Sequence, residues 1–425
     1  MDRKQLVVER TRAVFNERLD DVVDMVRQDR RDLRGYEEPV HVRAVLRRTL
    51  QEGGSFTDNP EVAVLDSDLG RRAAEPDRGQ QRESIGQVLD AALNGLDKVR
   101  QQPNPELTPE ERLGLECVLL LYGRPAVLID ADRLAAVPPF WNVLEDQRED
   151  IEVAQRGVGR IELFGHPEYD WAGTAFLVNE TTLMTTRRTA DYFVENRDRS
   201  WQFRPGVTAW MDYGSDSQRV SSAGYRVRNV IGIHEQYDLA LLEVDPPPSN
   251  QNWTPTPLPL AAQPPAQLEG RPVYLIGYPV RDARRNEPQT LSRIFRDVYN
   301  CKRVQPGLLC GAFQFRELQL LRNDCTLLGH TGGACIVDLE THQVLGMQLS
   351  SRYLETGTAI PMWVLRNDPL LAKAGVRFAE TNCADLQTTT QQLERLARSR
   401  HWPDVRNTIR SLYQRVFGPD GRERR

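Results

Sequence analysis

The side chains that could move a proton near neutral pH, attack a carbonyl as a thiolate or hold a soft metal are six histidines and six cysteines. The histidines are His41, His166, His234, His330, His342 and His401, and the cysteines are Cys117, Cys301, Cys310, Cys325, Cys335 and Cys383. Cys325, His330 and Cys335 come nearest to a metal set. No Cys-x-x-Cys pair accompanies them, and the spacing is not that of a zinc knuckle. The cysteines are therefore read as free thiols and small hydrophobes, with no metal and no cofactor expected.

Composition narrows the field further. The 425 residues carry Lys+Arg 55 against Asp+Glu 60, a net charge of −5, and 40% of them are hydrophobic. At about 150 residues per domain this length suggests two or three domains, with enough apolar material for a packed core. The slight acidity argues against nucleic acid, because phosphate binding needs a concentrated positive field. Arginine patches at 30–34 and 281–285 are balanced by flanking acids and read as solvated faces. No apolar run approaches the roughly 18–20 residues of a spanning helix, so no membrane is expected. The charged N-terminus has no apolar signal core, and a cytoplasmic location follows as an expectation.

The elements that must position any site change character along the chain. Residues 1–157 read as helical, with Val7, Val8, Val14, Phe15, Leu19, Val22, Val23 and Val26 at three- and four-residue spacing. A Gly- and Pro-bearing loop at 51–80 interrupts them. Thr108-Pro109-Glu110-Glu111 carries a cap, a proline at the first helical position and the acid of a capping box. From about residue 158 short Val-, Ile-, Leu- and Phe-rich runs alternate with turns, as RIELF at 160–164, LALLEV at 239–244 and VLGMQL at 344–349. A Pro-rich stretch at 245–259 divides this β region, 158–375, into halves at about 158–245 and 260–370. Helical periodicity returns over 385–418.

Three segments of the β region, in order, resemble the motif blocks of trypsin-like serine proteases, most nearly the bacterial glutamyl-endopeptidase-like branch. They are GTAFLVNETTLMTTRRTA at 173–190, YDLALLEVD at 237–245 and CTLLGHTGGACIVDLETHQVLGMQ at 325–348. The resemblance implies an α+β multidomain chain: a two-barrel antiparallel β domain flanked by helical N-terminal and C-terminal regions. It covers about half the sequence. It also implies a histidine, an aspartate and a serine at the three blocks, where this chain has Arg188, Asp238 and Thr331. The backbone amides of Gly329 and Thr331 fall where the family places its oxyanion hole, and Gln348 falls at the specificity-pocket position.

Guanidinium has five donors, no acceptor and a pKa above about 12, so Arg188 cannot act as the general base that a hydroxyl nucleophile needs. Thr331 keeps a hydroxyl, but its extra methyl crowds the line of attack. His330 and His234 are read as ordinary histidines rather than as replacement bases. Loss of triad members leaves about 10³–10⁴ over water. The sequence therefore predicts a chain that is not an enzyme. It reads as a protease homologue that binds a protein partner, such as a protease or regulatory factor, in a bacterial signalling or defence complex. Two other readings stand beside it: a weak or self-cleaving peptidase with a threonine nucleophile, and a CRISPR-linked immune accessory protein that is itself a protease target. A structural role for Arg188 is also expected, as the ion-pair partner of an Asp238 that has lost its imidazole.

Overall fold

The amphipathic runs near the N-terminus fold as helices around one apolar core. A computed structural model describes residues 3–34, 78–198, 200–214, 224–246, 254–279, 301–325, 331–351 and 355–379. Four of the helices are α1 (Arg3–Phe15), α2 (Leu19–Arg34), α3 (Arg78–Gln101) and α4 (Pro109–Val118). The expected apolar faces are the buried ones: Val7, Val14, Phe15, Val22 and Val26 pack against Leu89, Leu96, Leu115 and Leu119. The capping box forms, with Thr108 Oγ1 accepting from the Glu111 amide and Glu111 Oε2 accepting from the Thr108 amide. Arg12 of α1 caps the far end of α3 by donating to the carbonyls of Val99, Gln102 and Pro103. That satisfies acceptors which a helix end cannot pair internally.

The β region forms two antiparallel barrels. The first holds β1 (Val158–Phe164), β2 (Trp171–Leu177), β3 (Thr182–Thr185), β4 (Thr208–Asp212), β5 (Tyr225–Ile233) and β6 (Ala240–Val244). It closes in the order β6-β3-β2-β1-β4-β5. The second holds β7 (Pro272–Gly277), β8 (Arg303–Phe315), β9 (Leu318–Asn323), β10 (Cys335–Asp338), β11 (Val344–Ser350) and β12 (Gly357–Pro361). Its order is β7-β10-β11-β12-β9-β8, and a β7–β8 pairing completes the ring. Each barrel has its own apolar interior, and a third cluster joins them. Phe176, Met184 and Leu241 of the first barrel meet Tyr274, Ile276 and Met347 of the second in that cluster.

The boundary at residue 157 needs correction. Val127–Asp130, placed by sequence inside a helical region, is a strand that pairs antiparallel with β8, Val127 opposite Val304. The second barrel thus draws a strand from before the first. The helices are also tied to this barrel electrostatically: buried Arg124, just after α4, grips Asp324 with Nε at 2.8 Å and Nη2 at 2.6 Å. The expected loop at 51–80 gives way to α3 at Arg78; its remainder and the expected helix at 385–418 lie outside the described residues. Among the described residues no helix is long and apolar enough to cross a membrane.

Candidate functional site

Arg188 sits on a single helical turn, α5 (Arg187–Ala190), which directly follows β3. The turn is fixed at its start by Thr186, whose Oγ1 accepts from the Thr189 amide at 3.1 Å. Its first residues present both a main-chain N–H and a guanidinium to the same carboxylate. Asp238 Oδ1 accepts from the Arg188 amide at 3.0 Å, and Oδ2 accepts from Arg188 Nε at 2.6 Å. The expected ion pair is therefore present. It is not a buried clamp, because the Arg188 side chain is 63% exposed and that of Asp238 23%. A third contact was not foreseen: Arg188 Nη2 donates to the Leu349 carbonyl of β11 at 2.9 Å. One guanidinium thus bridges the two barrels.

Thr331 stands in the turn that leads into β10. The turn is pinned by Ala334 N to Thr331 O at 3.1 Å and by Gly333 N to Gln348 O at 2.9 Å. Gly333 has φ +84°, and a Cβ there would run into the Thr174 carbonyl of β2, so only glycine fits without strain. A Cβ added at its neighbour Gly332 would lie 3.4 Å from the Leu349 carbonyl that Arg188 caps. The fold thus gathers Arg188, Asp238 and the Thr331 turn around one stretch of β11. Thr331 is only 1% exposed, and its Oγ1 has no hydrogen-bond partner among the described residues. Gly329 and His330 lie outside those residues.

Gln348 is fully buried, and its amide is spent internally. Oε1 accepts from Asn323 Nδ2 at 2.8 Å, and Nε2 donates to the Ser350 carbonyl at 2.9 Å. His234 is equally committed. Its Nδ1 accepts from the amides of Gln236 and Tyr237, which puts the proton on Nε2, facing Asp368 at 3.0 Å. Its two ring nitrogens are therefore engaged away from Thr331. Cys325 and Cys335 are buried in the second barrel; burial pushes the Cys325 thiol well above its ordinary value and the Cys335 thiol up to about 12. Among the described residues no group of three His, Cys, Asp or Glu side chains is placed to hold a metal.

Residues 173–347 match the trypsin-like peptidase domain. No curated protein matches the chain. Among solved structures, the chain is similar to the active form of the Rv3671c protease from M. tuberculosis at 17% identity and a TM-score of 0.37, covering 58% of this chain and 92% of that one. It is also similar to the HtrA-type protease AlgW with a decapeptide, at 12% identity and a TM-score of 0.34, over 55% of this chain and 67% of that one. A third is the MamO protease domain from Magnetospirillum magneticum, at 13% identity and a TM-score of 0.31, over 50% and 95%. The expectation that the chain is not an enzyme is corrected by the family match: residues 173–347, which include Arg188 and Thr331, fall within a family of peptidases.

Proposed function

We propose, from the premise that residues 173–347 form a trypsin-like peptidase domain, that this domain recognises a segment of a protein partner at the ledge made by Arg188, Asp238 and the Leu349 carbonyl. The recognition serves a regulatory or scaffolding role. One observation carries the reading: an exposed guanidinium held still from behind. Nε and Nη2 are spent on Asp238 and Leu349, so the remaining donors of the fork face solvent with their direction already set. A pre-oriented fork of this kind suits a carbonyl or carboxylate on a polypeptide, and little side-chain entropy is left to lose on binding.

The test is a peptide array probed with the full-length protein, followed by titration of the best binders. Charge-assisted hydrogen bonds of about 1.5–3 kcal/mol imply that Arg188→Ala weakens binding about ten- to hundredfold. Arg188→Lys keeps the charge but loses the fork, and should restore only part of the affinity. Equal binding by wild type and Arg188→Ala would remove the ledge from consideration.

A second reading rests on a different observation, the buried hydroxyl of Thr331 with no partner among the described residues. An untethered hydroxyl in a peptidase fold supports a threonine nucleophile, with its proton passing to an acceptor that the substrate or an adjoining residue supplies. A fluorophosphonate adduct mapped to Thr331 by mass spectrometry, and lost in Thr331→Val, is the outcome that this reading expects.

A further inference from the structure

A cavity of about 410 Å³ opens on the first barrel, and Asp191 and Tyr192, just after α5, are among its lining residues. It is built by three segments: the β1–β2 turn (Gly165 to Tyr169), Asp191 and Tyr192 after α5, and Arg204 to Val207 before β4. None of these residues belongs to the aligned site positions. Three rings form its aromatic wall. Tyr169 lies 5.2 Å from His166 and 5.0 Å from Tyr192, centroid to centroid, and the two tyrosines meet edge to face. Both tyrosines are partly exposed, Tyr169 at 43% and Tyr192 at 39%. Singly placed exposed aromatics need no explanation, but a concave group of them does.

The walls are fixed before any ligand arrives. His166 Nδ1 accepts from the amides of Glu168 and Tyr169, each at 3.1 Å, which fixes the orientation of the ring. Gly165 has φ +78° and approaches the Gly206 carbonyl so closely that no Cβ could be accommodated. Arg204 lines the cavity, yet its guanidinium is turned to the Asp191 carbonyl, with Nε at 3.2 Å and Nη2 at 2.9 Å, and Nη1 lies 3.9 Å from Glu195. Arg187 stands 3.9 Å from the Asp191 carboxylate. Glu168, exposed on the rim, has no ion pair among the described residues.

We infer that this cavity binds a cationic side chain, arginine or lysine, of a bound polypeptide. Ring faces attract cations through their quadrupole, and two partly exposed tyrosines line this cavity. Glu168 supplies the countercharge at the mouth. The inference rests on the reading of the domain as a polypeptide binder and adds a side-chain preference to it. The occupant is a peptide side chain rather than a free amine because Asp191 and Tyr192, which line the cavity, directly follow the helical turn that carries Arg188.

The test titrates the full-length protein with one capped peptide sequence carrying arginine, lysine or neutral citrulline at a single position. Wild type should bind the arginine and lysine forms about tenfold tighter than citrulline. Tyr169→Leu and Tyr192→Leu should abolish that preference, while Tyr169→Phe, which keeps the ring, should retain it. Arg188→Ala should weaken all three peptides together and leave the preference intact, which separates failure of the ledge from failure of the cavity. Equal affinity for arginine and citrulline in wild type, or a preference that survives both leucine substitutions, overturns the assignment.

Discussion

Replacing Asp324 by asparagine tests how the helices and the second barrel hold together. Asp324 is 4% exposed and lies against two guanidinium groups, Arg124 at 3% and Arg10 at 8% exposure. It accepts two bonds from Arg124 and one from the Leu308 amide at 2.7 Å, and Arg10 Nη2 stands 3.5 Å from Oδ2. Asparagine keeps the shape but turns one acceptor into a donor facing donors, and strands two buried cations. Breaking a buried pair in this way costs about 3–5 kcal/mol. At roughly 2 °C per kcal/mol for a large domain, the melting temperature should fall by about 6–10 °C. Arg124→Met should cost less in the Asp324→Asn background than in wild type, with a coupling of about 1–3 kcal/mol. The acid limb supplies an independent readout. Burial works to raise the Asp324 pKa, but the charge and hydrogen bonds of Arg124, the charge of Arg10 and the Leu308 N–H together hold it below its ordinary 3.8. A carboxylate depressed on folding stabilises above its unfolded pKa, and that stabilisation fades as pH falls through the folded value. Asp324→Asn should therefore flatten stability measured by urea unfolding below about pH 4. An asparagine variant within about 0.5 kcal/mol of wild type, or a strictly additive double variant, would refute the cluster's role.

Two further outcomes follow from backbone and burial. Gly333→Ala forces a side chain against the Thr174 carbonyl at φ +84°, and should destabilise the protein by more than about 1 kcal/mol in denaturant titration. A neutral Gly333→Ala would mean that the turn before β10 takes another backbone path. Cys325 and Cys335, both fully buried and with thiols pushed up by burial, should resist maleimide labelling at pH 8 in the native protein and label readily in urea. Rapid native labelling of either thiol would refute their burial.

Much of the architecture was legible because its signals are local. The Thr108 capping box and the valine stripe of α1 and α2 depend on residues three and four apart, and the structure buries that stripe as the spacing required. The strand at Val127–Asp130 was illegible for the opposite reason: four residues carry no measurable period, and their partner Val304 lies far along the chain. Strand β8, interrupted by proline and glycines, hides its pairing in the same way. At the site, side-chain chemistry gave the Arg188–Asp238 pair, since a carboxylate without imidazole needs a cation. It could not give Leu349, because a carbonyl is common to every residue and only topology selects one. Nor could it give the tyrosine cavity, whose three segments meet only in the folded barrel. The step from a substituted triad to an inactive chain failed at another level. A sequence position says which side chain stands there, whereas the match of residues 173–347 to the trypsin-like peptidase domain spans the whole stretch around it.

The N-terminal helices meet the second barrel at one buried carboxylate. Arg124 leaves α4 and Arg10 leaves α1, and both converge on a carboxylate at the end of β9. An anchor of two cations on one buried carboxylate cannot be loosened by degrees, because removing either charge leaves the others unsolvated. Removing the Asp324 charge would therefore loosen α1 and the segment after α4 from the second barrel together.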